Sequence, residues 1–203
     1  FASTEIIVAL LEAGADAEAT DIMGNDSFMA ACGMGRLDNV KVWFSCKLDW
    51  NVNSRNKMFG ATALNIALAL GVRNLELVRY LLKRGSNLLA TTYTGNSCLH
   101  DISMNQDCDP HVLRHILQCM PYKMILKRKS GEQTKWKIIL TFTSILSRCG
   151  VSGSNVVKHF GHLSGVTALH CAVRRGDLEA VEILLEYGAK PSIKNDLGRD
   201  VLS

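Results

Sequence analysis

Residues Gly165 to Lys190 read GVTALHCAVRRGDLEAVEILLEYGAK. Thr167 can begin a helix, because its hydroxyl can accept a free backbone N–H of the first turn. His170, three residues on, can reach back toward it as in a capping box. Leu169, Ala172 and Val173 then share one inward face. Gly176 suits the left-handed stop that glycine adopts at little cost. Leu178, Val181, Leu184 and Leu185 make the apolar stripe of a second helix, which Gly188 ends. The polar residues up to Gly198 suit a turn or hairpin. The prediction is therefore a helix pair followed by a short finger.

The same phrase recurs. Gly60 to Gly71 reads GATALNIALALG, followed by LVRYLLKRGSN from Leu77 to Asn87. Looser copies begin at Gly24 (GNDSFMAACGMG) and Gly95 (GNSCLHDISMNQ). The anchor glycines 24, 60, 95, 165 and 198 are spaced by 36, 35, 70 and 33 residues, so one slot lacks an anchor. Within the units, Gly35, Gly71 and Gly176 each follow their anchor by eleven residues. Leu10-Leu11-Gly14, Leu81-Leu82-Gly85 and Leu184-Leu185-Gly188 each precede the next anchor by the same interval. A unit this small cannot bury its apolar face alone; stacked neighbours can.

These residues resemble the ankyrin repeat, with its period of about 33 and its T-P-L-H-x-A signature. Thr167 to Ala172 departs from the signature only at the proline. Thr62 to Ala67 lacks proline and histidine, Ser97 to His100 keeps leucine and histidine, and Asp26 to Met29 is the most eroded. The resemblance covers the chain except about residues 121–161. It implies an all-α helix-turn-helix solenoid with short hairpin-like loops, read as one array over 1–203. The units are a partial repeat (1–20), repeats at 21–53, 54–90 and 91–120, a basic degenerate or inserted helical segment (121–161), a repeat at 162–195 and a truncated start (196–203). Both ends fall mid-unit and no starting methionine is present, so the chain reads as a piece of a longer protein.

Seven scattered cysteines without framework spacing favour reduced thiols and a cytoplasmic or nuclear setting. Cys98 and Cys171, inside the signature, read as core thiols. No run reaches the roughly 18 apolar residues of a membrane span. The net charge of +4 is uneven: residues 121–164 hold eight Lys/Arg and the single acid Glu132.

That basic segment breaks the repeat pattern. Lys127-Arg128-Lys129-Ser130-Gly131 reads as a basic, mobile loop. From Trp136 to Leu146 the apolar positions fit a strand and a helix alike, which period alone cannot decide. The length of the run favours a helix to about residue 148. Ser154 would cap a second helix with Val156, Val157, Phe160 and Leu163 facing inward, making a degenerate pair that keeps the stack continuous. Lys127, Arg128 and Lys129 are either a solvated charge run or a contact for an acidic partner. Phospholipid is the weaker reading. Nucleic acid is disfavoured, because exposed stacking rings are lacking beside the charges.

Cys108, His111, His115 and Cys119 have the spacing of zinc ligands along one helical face. Leu113, Ile116 and Leu117 match the core of that helix, which puts the histidines on its flank, and no metal site is assigned. No nucleophile–base pair, phosphate loop or acid–base couple stands out, and no cofactor is implied. The reading is a non-catalytic protein–protein interaction module; the alternative is the targeting or regulatory arm of a larger enzyme or channel. The resemblance implies binding on the concave face of finger tips and first helices, which by phase are Met23, Arg55, Lys57, Met58, Phe59, Tyr93, Met104, Asn105, Arg174 and Arg175. Met58 and Phe59 either fold back on a neighbouring finger or serve as the anchor of an interface.

Overall fold

The computed structural model describes residues 3–70, 74–131, 134–148 and 164–203. The described elements are helices joined by turns and fingers. First helices of the units are α2 (Ser27–Gly33), α4 (Ala63–Ala69), α6 (Cys98–Met104) and α10 (Ala168–Arg175). Second helices are α1 (Thr4–Glu12), α3 (Leu37–Cys46), α5 (Leu75–Lys83), α7 (Pro110–Cys119) and α11 (Leu178–Glu186). A single turn, α8 (Tyr122–Ile125), and a longer helix, α9 (Thr134–Arg148), lie between α7 and α10.

Capping follows the sequence logic. Asp26 accepts from the N–H of Met29 at 2.7 Å. Thr62 and Thr167 form reciprocal boxes with Asn65 and His170. Gly176 closes α10 in the left-handed region at φ 75°, where its N–H and the turn behind it satisfy the last carbonyls. The equivalent signature positions Phe28, Leu64, Leu99 and Leu169 are all within 1% of complete burial. Each first helix packs on at least one neighbouring first helix, which is why units of this size are stable only in a row.

In α11 the apolar stripe is corrected. Ala180, Ile183 and Leu184 are buried, while Leu178 is 69% exposed and Leu185 is also exposed. The core-facing side is thus rotated from the predicted stripe, set by where α7 packs on α11. Phe28, Trp43, Phe44, Trp50 and Tyr80 form an aromatic cluster at the α2–α3 end, with the Arg84 guanidinium 4.4 Å over the Phe44 ring.

The chain from α6 onward departs most from expectation. α4 packs on α6, α6 packs directly on α10, and α7 packs directly on α11. These direct contacts leave neither α8 nor α9 between stacked helices, so the described part of the segment fits the inserted rather than the degenerate-pair form of the expectation. Its position is fixed by one recurring hydrogen bond. At three finger bases a backbone N–H donates to a carbonyl four residues on, Asp21 to Asn25, Thr92 to Asn96 and Asn195 to Arg199, and at a fourth to one five residues on, Asn56 to Ala61. In the finger before α10 the N–H of Lys129 donates to the carbonyl of Val166, and Gly165 N–H returns to the carbonyl of Lys129. The finger is intact, and the insert leaves from its tip. The run from Trp136 is helical, as α9; the second helix expected around Ser154, with Val156, Val157, Phe160 and Leu163, lies outside the described residues.

Candidate functional site

The fingers stand side by side and are tied to one another through their backbones. Met58 N–H donates to the Met23 carbonyl at 3.1 Å, Tyr93 N–H to the Phe59 carbonyl at 2.6 Å, and Asp196 N–H to the Ser164 carbonyl at 3.2 Å. This closeness needs glycine at the tip. Gly60 has φ +64°, and a Cβ there would lie 2.5 Å from the Tyr93 ring.

On this rigid row the predicted face divides. Lys57 and Met58 are exposed, Met58 by 42%, and Lys57 Nζ donates to Thr20 Oγ1 at 3.3 Å. Arg55 is exposed at its finger base, donates to the Thr91 carbonyl at 2.5 Å and lies 5.4 Å over the Tyr93 ring. Met23, Tyr93 and Met104 are half-buried, and Arg174 is exposed. Arg175 is half-buried and held by Asp177 beside the Cys108 thiol. Phe59 turns toward the insert: its ring centroid is 6.1 Å from that of Trp136, with the planes 35° apart. Phe59 is thus partly covered by α9 rather than free at the tip.

Two predicted site residues belong to the interior. Asn105 is 8% exposed; its amide donates to the Leu68 carbonyl at 2.9 Å and its oxygen accepts from Asp107 N–H at 2.8 Å. It caps a turn and ties adjacent units, because the chain leaves α6 extended there instead of through a glycine stop. Lys129 is 4% exposed. With its backbone bonded at the finger base it is not part of a mobile loop, and burial pulls its ammonium below the ordinary lysine range. Of the basic run, Lys127 is half-buried, and the exposed Arg128 pairs with Asp196 and donates to the Gly165 carbonyl.

Beneath the fingers lies a polar network that spacing did not reveal. Asn65, in the place of the signature histidine, donates to Asp101 Oδ2 at 2.8 Å, and Asn96 donates to Asp101 Oδ1 at 3.1 Å. Burial pushes the Asp101 carboxyl up to about 6 despite those two donors. Burial likewise depresses His100 to about 4. It raises Cys32 and Cys98, and pushes Cys171 up to about 11. These thiols stay protonated at neutral pH, so none is poised as a nucleophile. Among the described residues no three His, Cys, Asp or Glu side chains gather as a metal site. The sequence signal for the network was Asn65 at a signature position, which sends a polar group toward the next unit.

The residues that make fingers and first helices match a known pattern. The ankyrin repeat family model aligns with residues 59–93 and 164–196, the second match beginning where the insert ends. These are ankyrin repeats. A putative ankyrin repeat protein of Acanthamoeba polyphaga mimivirus is 58% identical over 40 residues, 20% of this chain and 10% of that protein. The phosphocholine transferase AnkX of Legionella pneumophila is 25% identical over 182 residues, 89% of this chain and 15% of that protein. The cell division cycle-related protein res1/sct1 of Schizosaccharomyces pombe is 27% identical over 169 residues, 74% of this chain and 26% of that protein. The matched stretches thus span between 10% and 26% of the length of these relatives. No helix among the described residues is long and apolar enough to cross a membrane.

Proposed function

We propose that this array is a non-catalytic protein–protein interaction module whose partner lies on the concave face of fingers and first helices. Ankyrin repeats are generally protein–protein interaction modules. The observation that carries the reading is the tip Lys57-Met58. Its backbone is held to Met23, and that of the adjoining Phe59 to Tyr93, yet both tip side chains are exposed. A large apolar side chain displayed on a fixed scaffold suits an interface anchor. Arg55, Met23, Tyr93, Met104 and Arg174 complete the face; Asn105 and Lys129 do not belong to it. The six described cysteines are free thiols, which supports a reducing compartment, cytoplasm or nucleus.

The test is capture of partner by immobilised protein, comparing wild type with Lys57→Glu/Met58→Ala. Loss of the captured partner with an unchanged unfolding temperature supports the face. Capture indifferent to the fingers but abolished by Glu179→Lys/Glu182→Lys on α11 removes it.

The alignment with AnkX over most of this chain, but only 15% of that transferase, favours a second reading: the array as the targeting arm of a larger enzyme. Under it, deleting the array from the full-length protein leaves intrinsic activity but abolishes target selection. Loss of activity toward a minimal substrate as well would count against it.

A further inference from the structure

We infer that the finger at 55–59 and the start of α9 together form a docking surface for an acidic polypeptide segment. This rests on the interaction-module reading and names the partner's chemistry. The two parts are distant in sequence and adjacent in space. Phe59 and Trp136 bring their rings to 6.1 Å. Gly131 lies so close to the first turns of α9 that a Cβ there would be 2.9 Å from the Lys137 backbone nitrogen. This sets Lys135 and Lys137, both exposed, beside the finger that carries Arg55 and Lys57. Lys127 and Arg128 stand at the root of the insert. Four cations here, Arg55, Lys57, Lys135 and Lys137, outnumber the free charge of the neighbouring tips: Asp21 stays ionised while accepting from Met23 and Asn25, and Asp196 is offset by Arg128. Excess positive charge therefore meets the solvent here, with Met58 exposed in its midst.

Charge complementarity selects acidic ligands, and the apolar groups choose among them. Single-stranded nucleic acid needs rings open to stacking; here Phe59 and Trp136 face each other, and the Tyr93 ring lies under Arg55. A lipid surface takes up an unbroken apolar helix face; on α9 the exposed Ile138, Ile139 and Ile145 are interrupted by exposed Lys135, Lys137 and Thr141. A carboxylate-rich peptide with an isolated apolar side chain matches a scattered basic rim around Met58.

The probe is a fluorescein-labelled peptide of four Glu-Glu-Leu repeats, read by anisotropy, against the same peptide with glutamine for glutamate. The expected result is saturable binding of the acidic peptide alone, weakening as salt rises. Lys135→Glu/Lys137→Glu should lower affinity by about tenfold or more with an unchanged unfolding temperature. Removal of residues 131–163 should do the same. Equal binding of the two peptides overturns the inference. So does indifference to the charge reversals, or equal affinity for phosphatidylserine vesicles or a thymidine oligonucleotide. If partner capture depends on Lys57 and Met58 while the acidic peptide does not bind, the interaction module stands and this inference alone falls.

Discussion

His100 Nε2 bonds the carbonyl of Val166 at 3.0 Å, across 66 residues of chain. His170 makes the same bond to the Arg199 carbonyl at 3.3 Å, across only 29. A carbonyl can only accept, so Nε2 carries the proton in both, and Nδ1 accepts from the backbone N–H of the capping residue. The two bonds do one job, tying a first helix to the next finger, and the extra chain in the first is the insert.

Excision of residues 131–163 joins Ser130 to Ser164 and restores the spacing of four between Lys129 and Val166. We expect one cooperative unfolding transition with a midpoint within about 4 °C of wild type, because α6 packs directly on α10 and α7 on α11. Thermal unfolding followed by circular dichroism checks this. A split or missing transition would show that the insert holds the stack together.

Acidification separates two buried groups. His100 is depressed to about 4 by burial, so its contribution is present above 6.5 and lost as pH falls toward 4. Asp101 is raised to about 6, also by burial, so its contribution is present below 3.8 and lost as pH rises toward 6. The two oppose each other in one window. Relative to wild type, His100→Asn, which copies Asn65, should lose less stability between pH 6.5 and 4. Asp101→Asn should lose more. Urea midpoints across that range decide; identical pH profiles for all three proteins would refute the assignment.

Leu169→Ala should destabilise the array by about 2–5 kcal/mol, since its side chain is fully enclosed. Met58→Ala, at an exposed tip, should stay within about 0.5 kcal/mol. Chemical denaturation compares them, and equal losses would contradict the division between core and face.

Asn105→Ala should cost about 1–3 kcal/mol by leaving the Leu68 carbonyl without its buried donor. Asn105→Asp should cost at least as much, because a carboxylate cannot donate to that carbonyl. A neutral outcome in urea titration would return Asn105 to the surface.

Thiol reactivity should follow burial. Cys46 and Cys119 are exposed and should react with a disulfide reagent in the native state. Cys32, Cys98 and Cys171, whose thiols burial raises, should react only upon unfolding. Mass mapping of the labelled cysteines checks the order.

The repeat phrase determined, unaided, what depends on local spacing. Thr167 with His170, Gly176 in its left-handed turn and the leucine at each signature position follow from hydrogen-bond reach and helical period, which act within a few residues. For Met58 and Phe59 the sequence left folding back and exposure open; the structure exposes Met58 and sets Phe59 against Trp136. Only the tertiary structure decided where the chain between α7 and α10 goes. Helical period is the same for a stacked unit and an inserted one; the difference is whether α6 touches α10, a contact between residues far apart in sequence. The burial of Lys129 and the approach of Phe59 to Trp136 were likewise tertiary outcomes. Charge type and apolar spacing cannot report this, because burial is a property of neighbours.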